Sequence, residues 1–231
     1  MLKAVDLTKT YGKHHALHQL NLSVDKGEIF CLLGQNGAGK TTTINLFLGL
    51  IAPTSGEATI NGVTVKPNSN KTTKMIAYIP EVVQLYGNLS GLENLDFFSR
   101  LAGFSYKSFE LSDFLSKAGL QETAYHKKLS FYSKGMRQKV GIAIALSKNA
   151  EYIFMDEPIS GLDPKATQEF TKICKELSQD GKAIFMATHD IFNAVNVGTK
   201  IGIMKEGKLV HISDTRTINA TELQDLYLKT I

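Results

Sequence analysis

The run Gly34-Gln35-Asn36-Gly37-Ala38-Gly39-Lys40-Thr41-Thr42 assembles residue types that can hold a phosphate chain. It fits G-x-x-x-x-G-K-[ST], between an apolar run at residues 28–33 and a stretch patterned as a helix from Lys40 to about Leu50. The glycines let the backbone curl without Cβ clashes and turn its N–H groups onto phosphate oxygens. The positive end of the following helix adds to this attraction. Lys40 is expected to bring a charge to the β and γ phosphates, and Thr41 a hydroxyl to Mg²⁺. The plain alternative is a Gly-rich strand-to-helix turn with no ligand. A second signal is Tyr152-Ile153-Phe154-Met155-Asp156-Glu157-Pro158, a strand-like run ending in two carboxylates. At the carboxyl edge of a parallel sheet, Asp156 could hold the metal through water and Glu157 could act as general base on an attacking water. By itself such a run could also be an acidic loop after a strand.

Positioning these groups needs a layered scaffold. Residues 2–7 and 17–24 alternate like half-buried strands, and Asp25-Lys26-Gly27 reads as a turn before the apolar strand that feeds the loop. Pro53-Thr54-Ser55-Gly56 reads as a turn before a short strand with Ile60 and Val63. From about Ser90 to Leu146 the pattern is helical, with Leu92, Leu95, Phe98 and Leu101 expected to form a core stripe. Strand and helix then alternate: strand 152–155, helix 165–179, strand 183–187, helix 191–197. A hairpin turning at Glu206-Gly207 follows, and a last helix capped by Thr221. The expected fold is α/β: a mainly parallel sheet with helices on both faces, an antiparallel side sheet at the N-terminus, and an inserted helical lobe. Residues 1–231 are read as one domain, with 1–89 and 135–231 as core and 90–134 as the lobe.

Composition excludes several classes. At 231 residues, with 43% hydrophobic and 21% charged side chains, the chain can bury a substantial core and is not disordered by composition. A net charge of +4, with only short basic clusters such as Lys127-Lys128, does not suit a nucleic-acid binder. Cys31 and Cys174 lack metal-ligand spacing and read as buried small side chains. His14, His15 and His18 lack acidic or cysteine companions, and His126 and His211 stand alone on the expected surface. No secretory pattern opens the chain, and no apolar run reaches the roughly 18–20 residues that span a bilayer. A soluble protein is therefore expected, meeting a membrane only through a partner.

Between the two phosphate-type motifs lies Leu129-Ser130-Phe131-Tyr132-Ser133-Lys134-Gly135-Met136-Arg137-Gln138. The order of phosphate loop, Ser-x-Gly element opening a helix, then a strand ending in Asp-Glu resembles the nucleotide-binding subunits of the ATP-binding-cassette family, a P-loop NTPase fold. The likeness covers nearly the whole chain. It implies ATP and Mg²⁺ as ligands, Tyr11 stacked on adenine, Ser160-Gly161-Leu162-Asp163 as a dimer-contact loop and His189 as a sensor of the γ-phosphate. It implies two subunits head to tail, with Ser133 and Gly135 of one completing the nucleotide site of the other. It also implies a separate transmembrane permease, and a place at the cytoplasmic face of the membrane. Two positions depart from the commonest family pattern: Lys134 stands where a glycine is usual, and Glu81, a further candidate metal ligand, where a glutamine is usual. Both variants resemble subunits serving exporters of drugs, antibiotics and small ions. Val82, Val83, Leu85 and Tyr86 are the expected contact with the permease. A soluble ATP-driven switch of the same superfamily is the alternative. The short gap between motifs lacks the coiled coil of chromosome-associated members, and no guanine-specific Asn-Lys-x-Asp occurs.

Overall fold

The computed structural model describes residues 1–67 and 69–230. In chain order they form strands β1 (Leu2–Tyr11), β2 (His14–Val24) and β3 (Ile29–Gly34), helix α1 (Lys40–Phe47), strands β4 (Ser55–Ile60) and β5 (Val63–Thr64), helix α2 (Asn70–Thr73) and strand β6 (Ile76–Ile79). Helices α3 (Gly91–Leu101), α4 (Ser108–Lys117) and α5 (Lys134–Ser147) come next, then β7 (Tyr152–Asp156), α6 (Pro164–Gln179), β8 (Ala183–Thr188) and α7 (Ile191–Val197). Strands β9 (Lys200–Lys205) and β10 (Lys208–Asp214) and helix α8 (Ala220–Thr230) complete the described chain.

The strands sort into two sheets, as the α/β reading expects. An antiparallel sheet has the order β2-β1-β4-β5, and a six-stranded sheet the order β10-β9-β3-β8-β7-β6. The larger sheet is parallel except for the β9–β10 hairpin. Its central strands are covered on both faces, so they read as continuous apolar runs. Strand pleating sends Ile29, Cys31 and Leu33 to one side, into a core with Ile142, Phe170 and Ala194 of α5, α6 and α7. Phe30 and Leu32 point the other way, toward α1 and the side sheet. There the Phe47 ring lies 5.7 Å from Phe154, and Phe30 lies 5.6 Å from Phe185. Burial pushes the Cys31 thiol up to about 12, and the Cys174 thiol also upward, so both behave as small apolar residues.

Several boundaries differ from the sequence reading. Helix α1 ends at Phe47 rather than Leu50, since Gly49 turns the chain at φ 69°. The last helix is capped by Asn219, not Thr221: Asn219 Oδ1 accepts from the Glu222 N–H at 3.0 Å, and Glu222 Oε2 accepts from the Asn219 N–H at 2.9 Å. On α3 the buried face is Gly91, Asn94, Leu95 and Ser99, and Leu101 is 73% exposed. Repeated three-residue steps fall behind a 3.6-residue turn by about 60° each, so nine residues from Leu92 to Leu101 reach the opposite face. Val83, expected at a partner surface, is buried against Gly141 of α5, whereas Val82 and Tyr86 are exposed. Asn94 holds this loop from the helix, accepting from the Tyr86 N–H at 2.8 Å and donating to its carbonyl at 3.0 Å.

Candidate nucleotide site

Strand β3 ends at Gly34, and the chain curls through residues 35–39 into α1. Gly39 is the N-cap residue at φ 108°; no side chain caps the helix, and its first turn holds no acidic residue. The N–H groups of that turn are left for an external acceptor, at the helix end that favours an anion. A Cβ on Gly39 would stand 2.6 Å from the Ala16 carbonyl oxygen, so the loop's closeness to β2 requires glycine. Lys40 is buried and folds back over the loop. Its Nζ donates to Gly34 O at 2.6 Å and Gln35 O at 3.3 Å, and lies 3.7 Å from Glu157 Oε1.

Thr41 Oγ1 donates to Asp156 Oδ2 at 2.9 Å, tying the helix start to the end of β7. Burial lifts the Asp156 carboxyl above its ordinary value; the Thr41 bond opposes this, the Glu157 charge adds to it, Lys40 opposes it, and Glu81 adds the least. Glu157 sits at φ 45°, a conformation costing on the order of 1–3 kcal/mol for a non-glycine residue. Its N–H donates to Ala187 O at 2.9 Å, which fixes the strained peptide to β8. Parallel pairing sets Asp156 opposite Ala187, and His189 therefore emerges beside Glu157, Nδ1 2.9 Å from Oε2.

These groups line one cleft of about 350 Å³. Gln35, Asn36, Gly37 and Gly39 supply its floor, with Lys40, Thr41 and Thr42 from the helix. Glu81, Asp156 and Glu157 form the acidic wall. Tyr11 and His14, paired across the β1–β2 turn, form the outer rim, and the Lys9 ammonium covers one face of the Tyr11 ring at 4.9 Å. Gly34 and Ala38 stand behind the floor. The Ala38 carbonyl accepts from the Gly207 N–H at 2.9 Å, while the Gly207 carbonyl accepts from the His18 N–H at 2.8 Å. The β9–β10 turn thereby braces the loop. The sequence marks that turn but not its docking, nor the place of His14 and Ala16 in the cleft lining.

Ser133 and Gly135 lie elsewhere. Ser133 caps α5, accepting from the Met136 N–H at 3.3 Å, and with Gly135 it lines a separate concavity shared with Leu162 and Asp163. Neither residue reaches the cleft that holds Lys40. Lys134 lines neither; its Nζ donates to Ser160 O at 2.5 Å. Among the described residues no three His, Cys, Asp or Glu side chains gather as a metal site, and the His15 and His18 rings stack at 4.8 Å.

The sequence pattern of the family described as ABC transporter matches residues 17–160, which includes both the phosphate loop and the Asp156-Glu157 strand. The chain belongs to the ABC transporter family. It is one of that family's ATP-binding, ATP-hydrolysing subunits, and such subunits work with membrane permeases. It is 37% identical over 211 residues to the bacitracin transport ATP-binding protein BcrA of Bacillus licheniformis, across 91% of this chain and 68% of that one. The lantibiotic transport ATP-binding protein SrtF of Streptococcus pyogenes is 33% identical, over 91% of this chain and 89% of its own. A dimeric cassette, MJ0796, solved in a post-hydrolysis state with ADP and phosphate, superposes with a TM-score of 0.82 at 30% identity, covering 94% of this chain and 99% of its own. Among the described residues no helix is long and apolar enough to cross a membrane.

Proposed function

We propose that two copies of this ABC subunit, or one copy and a similar subunit, close head to tail over ATP and so drive a separate transmembrane permease. The observation that carries this is the separation of Ser133 and Gly135 from the cleft lined by Lys40, Thr41, Asp156 and Glu157. One chain offers two half-sites that do not meet, and a second chain turned head to tail unites them. The uncapped start of α1 and the Lys40 ammonium bind the phosphate chain, while Tyr11 offers the ring face that Lys9 leaves open to adenine. Ser133 and the N-terminus of α5 take the γ-phosphate from the opposite side.

Mg²⁺ fits this cleft. A hydroxyl and a burial-strained carboxylate sit hydrogen-bonded at 2.9 Å, with Glu81 nearby, and a metal held by one or two carboxylates plus phosphate oxygens needs no larger protein cage. Thr41 and Asp156 would hold it, Asp156 through water, with Glu81 as a further ligand; when bound, the ion neutralises phosphate charge. Glu157 takes a proton from water as the water oxygen bonds to the γ-phosphorus and the bond to the β-phosphate oxygen breaks. His189, hydrogen-bonded to Glu157, orients that carboxylate and senses loss of the γ-phosphate.

Residues 90–134 form a lobe, and its border with the core carries the permease contact. Tyr86 and Phe97, edge to face at 5.0 Å and both exposed, rim the lobe beside Val82, and a cavity of about 450 Å³ next to them is lined by Tyr78, Phe98, Leu101 and Ile144. Bound to the permease there, the subunit works at the cytoplasmic face of the membrane. Kinship with BcrA and SrtF supports a peptide antibiotic or similar drug-like compound as cargo. Tagged chain drawn gently from its native membranes should bring down a stoichiometric multi-span protein; soluble partners alone would contradict the transporter assignment.

A further inference from the structure

Lysine is a poor choice at the first position of a helix. Its charge sits at the positive end of the macrodipole, where a cation is disfavoured. Lys134 occupies that position on α5. Its Nζ, half-buried, is taken up by the Ser160 carbonyl at 2.5 Å. Ser160 in turn donates its N–H to the Glu157 carbonyl at 3.1 Å. At the start of the turn the Glu157 N–H is held by Ala187 O at 2.9 Å; beyond it the turn to Asp163 has Leu162 N–H to Ile159 O at 3.0 Å and the Asp163 side chain capping α6. A short relay therefore runs from the helix start that bears Ser133 to the strained peptide that bears Glu157.

We propose that Lys134 is a positioning residue for Glu157, acting through Ser160, and that it ties the carboxylate's placement to the helix end carrying Ser133. This rests on the assignment of Glu157 as general base. The Glu157 N–H is anchored on β8, so the relay acts on the carbonyl side of this strained residue, and small misplacements of catalytic groups cost much rate. The ammonium is engaged within its own chain, which argues against a direct role on the partner's phosphate. The neighbouring Lys139–Glu169 pair, at 2.6 Å, already clamps α5 to α6, so the helices stay packed when Lys134 is lost.

The test compares wild type, Lys134→Met, Lys134→Arg and Glu157→Gln as full chains, measuring kcat, KM and nucleotide affinity. Lys134→Met should lower kcat about tenfold, close to 1.4 kcal/mol of barrier, with KM and affinity within about twofold. Lys134→Arg, which keeps a donor for the Ser160 carbonyl, should recover most of the rate. Wild-type kcat in Lys134→Met overturns the proposal. So does weakened nucleotide affinity at unchanged kcat, which would put the charge on phosphate instead. If Lys134→Met melts early, Lys134→Arg decides: a folded Arg variant as slow as the Met variant also overturns it. Glu157→Gln separates the levels, because unimpaired turnover there removes the general-base assignment itself, whereas a dead Glu157→Gln beside a wild-type Lys134→Met removes only this relay.

Discussion

Replacing Glu157 by glutamine keeps the size and most hydrogen bonds of the side chain while removing its charge. Two effects of opposite sign follow. As general base, the carboxylate contributes roughly 10²- to 10⁴-fold to rate, so turnover should fall by about 3–5 kcal/mol of barrier. Binding should move the other way. Glu157 Oε1 stands 3.7 Å from Lys40 Nζ, with the two side chains only 15% and 7% exposed. Two unit charges at that distance attract by about 4–5 kcal/mol at an effective dielectric of about 20, and by about 1 kcal/mol in bulk water. An arriving phosphate chain must compete with that attraction and faces the carboxylate's repulsion. The Gly34 and Gln35 carbonyls share the ammonium, which cuts the gain to about 1–2 kcal/mol, or roughly five- to thirtyfold tighter ATP. Phosphate release reads the first effect and titration with a fluorescent ATP analogue the second; gel filtration with ATP should show a persistent dimer. A variant that turns over like wild type would refute the base assignment. One that binds ATP more weakly would refute the electrostatic account of the Lys40–Glu157 contact.

Lys40→Ala removes the buried ammonium and should weaken ATP binding by about 2–3 kcal/mol, roughly thirty- to 150-fold, by calorimetry; unchanged affinity would undo the phosphate-loop assignment. Asp156→Asn should separate stability from function. Burial raises the folded carboxyl above its ordinary value of 3.8, so its charge costs stability increasingly as pH rises above 3.8 and in full above the folded value. At neutral pH, without nucleotide, the Asn variant should melt above wild type, and the gap should close as pH falls below 3.8. The same variant should lose the extra thermal stabilisation that Mg²⁺ adds to bound ATP.

The make-up of this cleft was legible in the chain because it is local. A phosphate loop needs consecutive N–H groups, glycines where the backbone turns left, and a helix start, and all of these lie within nine residues. The Asp156-Glu157 pair announced itself as the polar end of an apolar strand, and alternating strands and helices implied a parallel sheet. The α3 stripe holds at Leu92 and Leu95 and fails at Leu101, because three-residue steps mimic a helical face for two turns and then drift off it.

What the fold alone decided are the contacts between distant segments. Parallel pairing of β7 with β8 puts His189 on Glu157, and the docked β9–β10 turn braces Ala38 through Gly207. The reach of Lys134 to Ser160 spans 26 residues and depends on how α5 lies against the turn after β7. Periodicity fixes which side of an element is buried. It carries no information about which other element covers that side, since any apolar face satisfies the same hydrophobic demand; the choice is made only when whole layers pack at once.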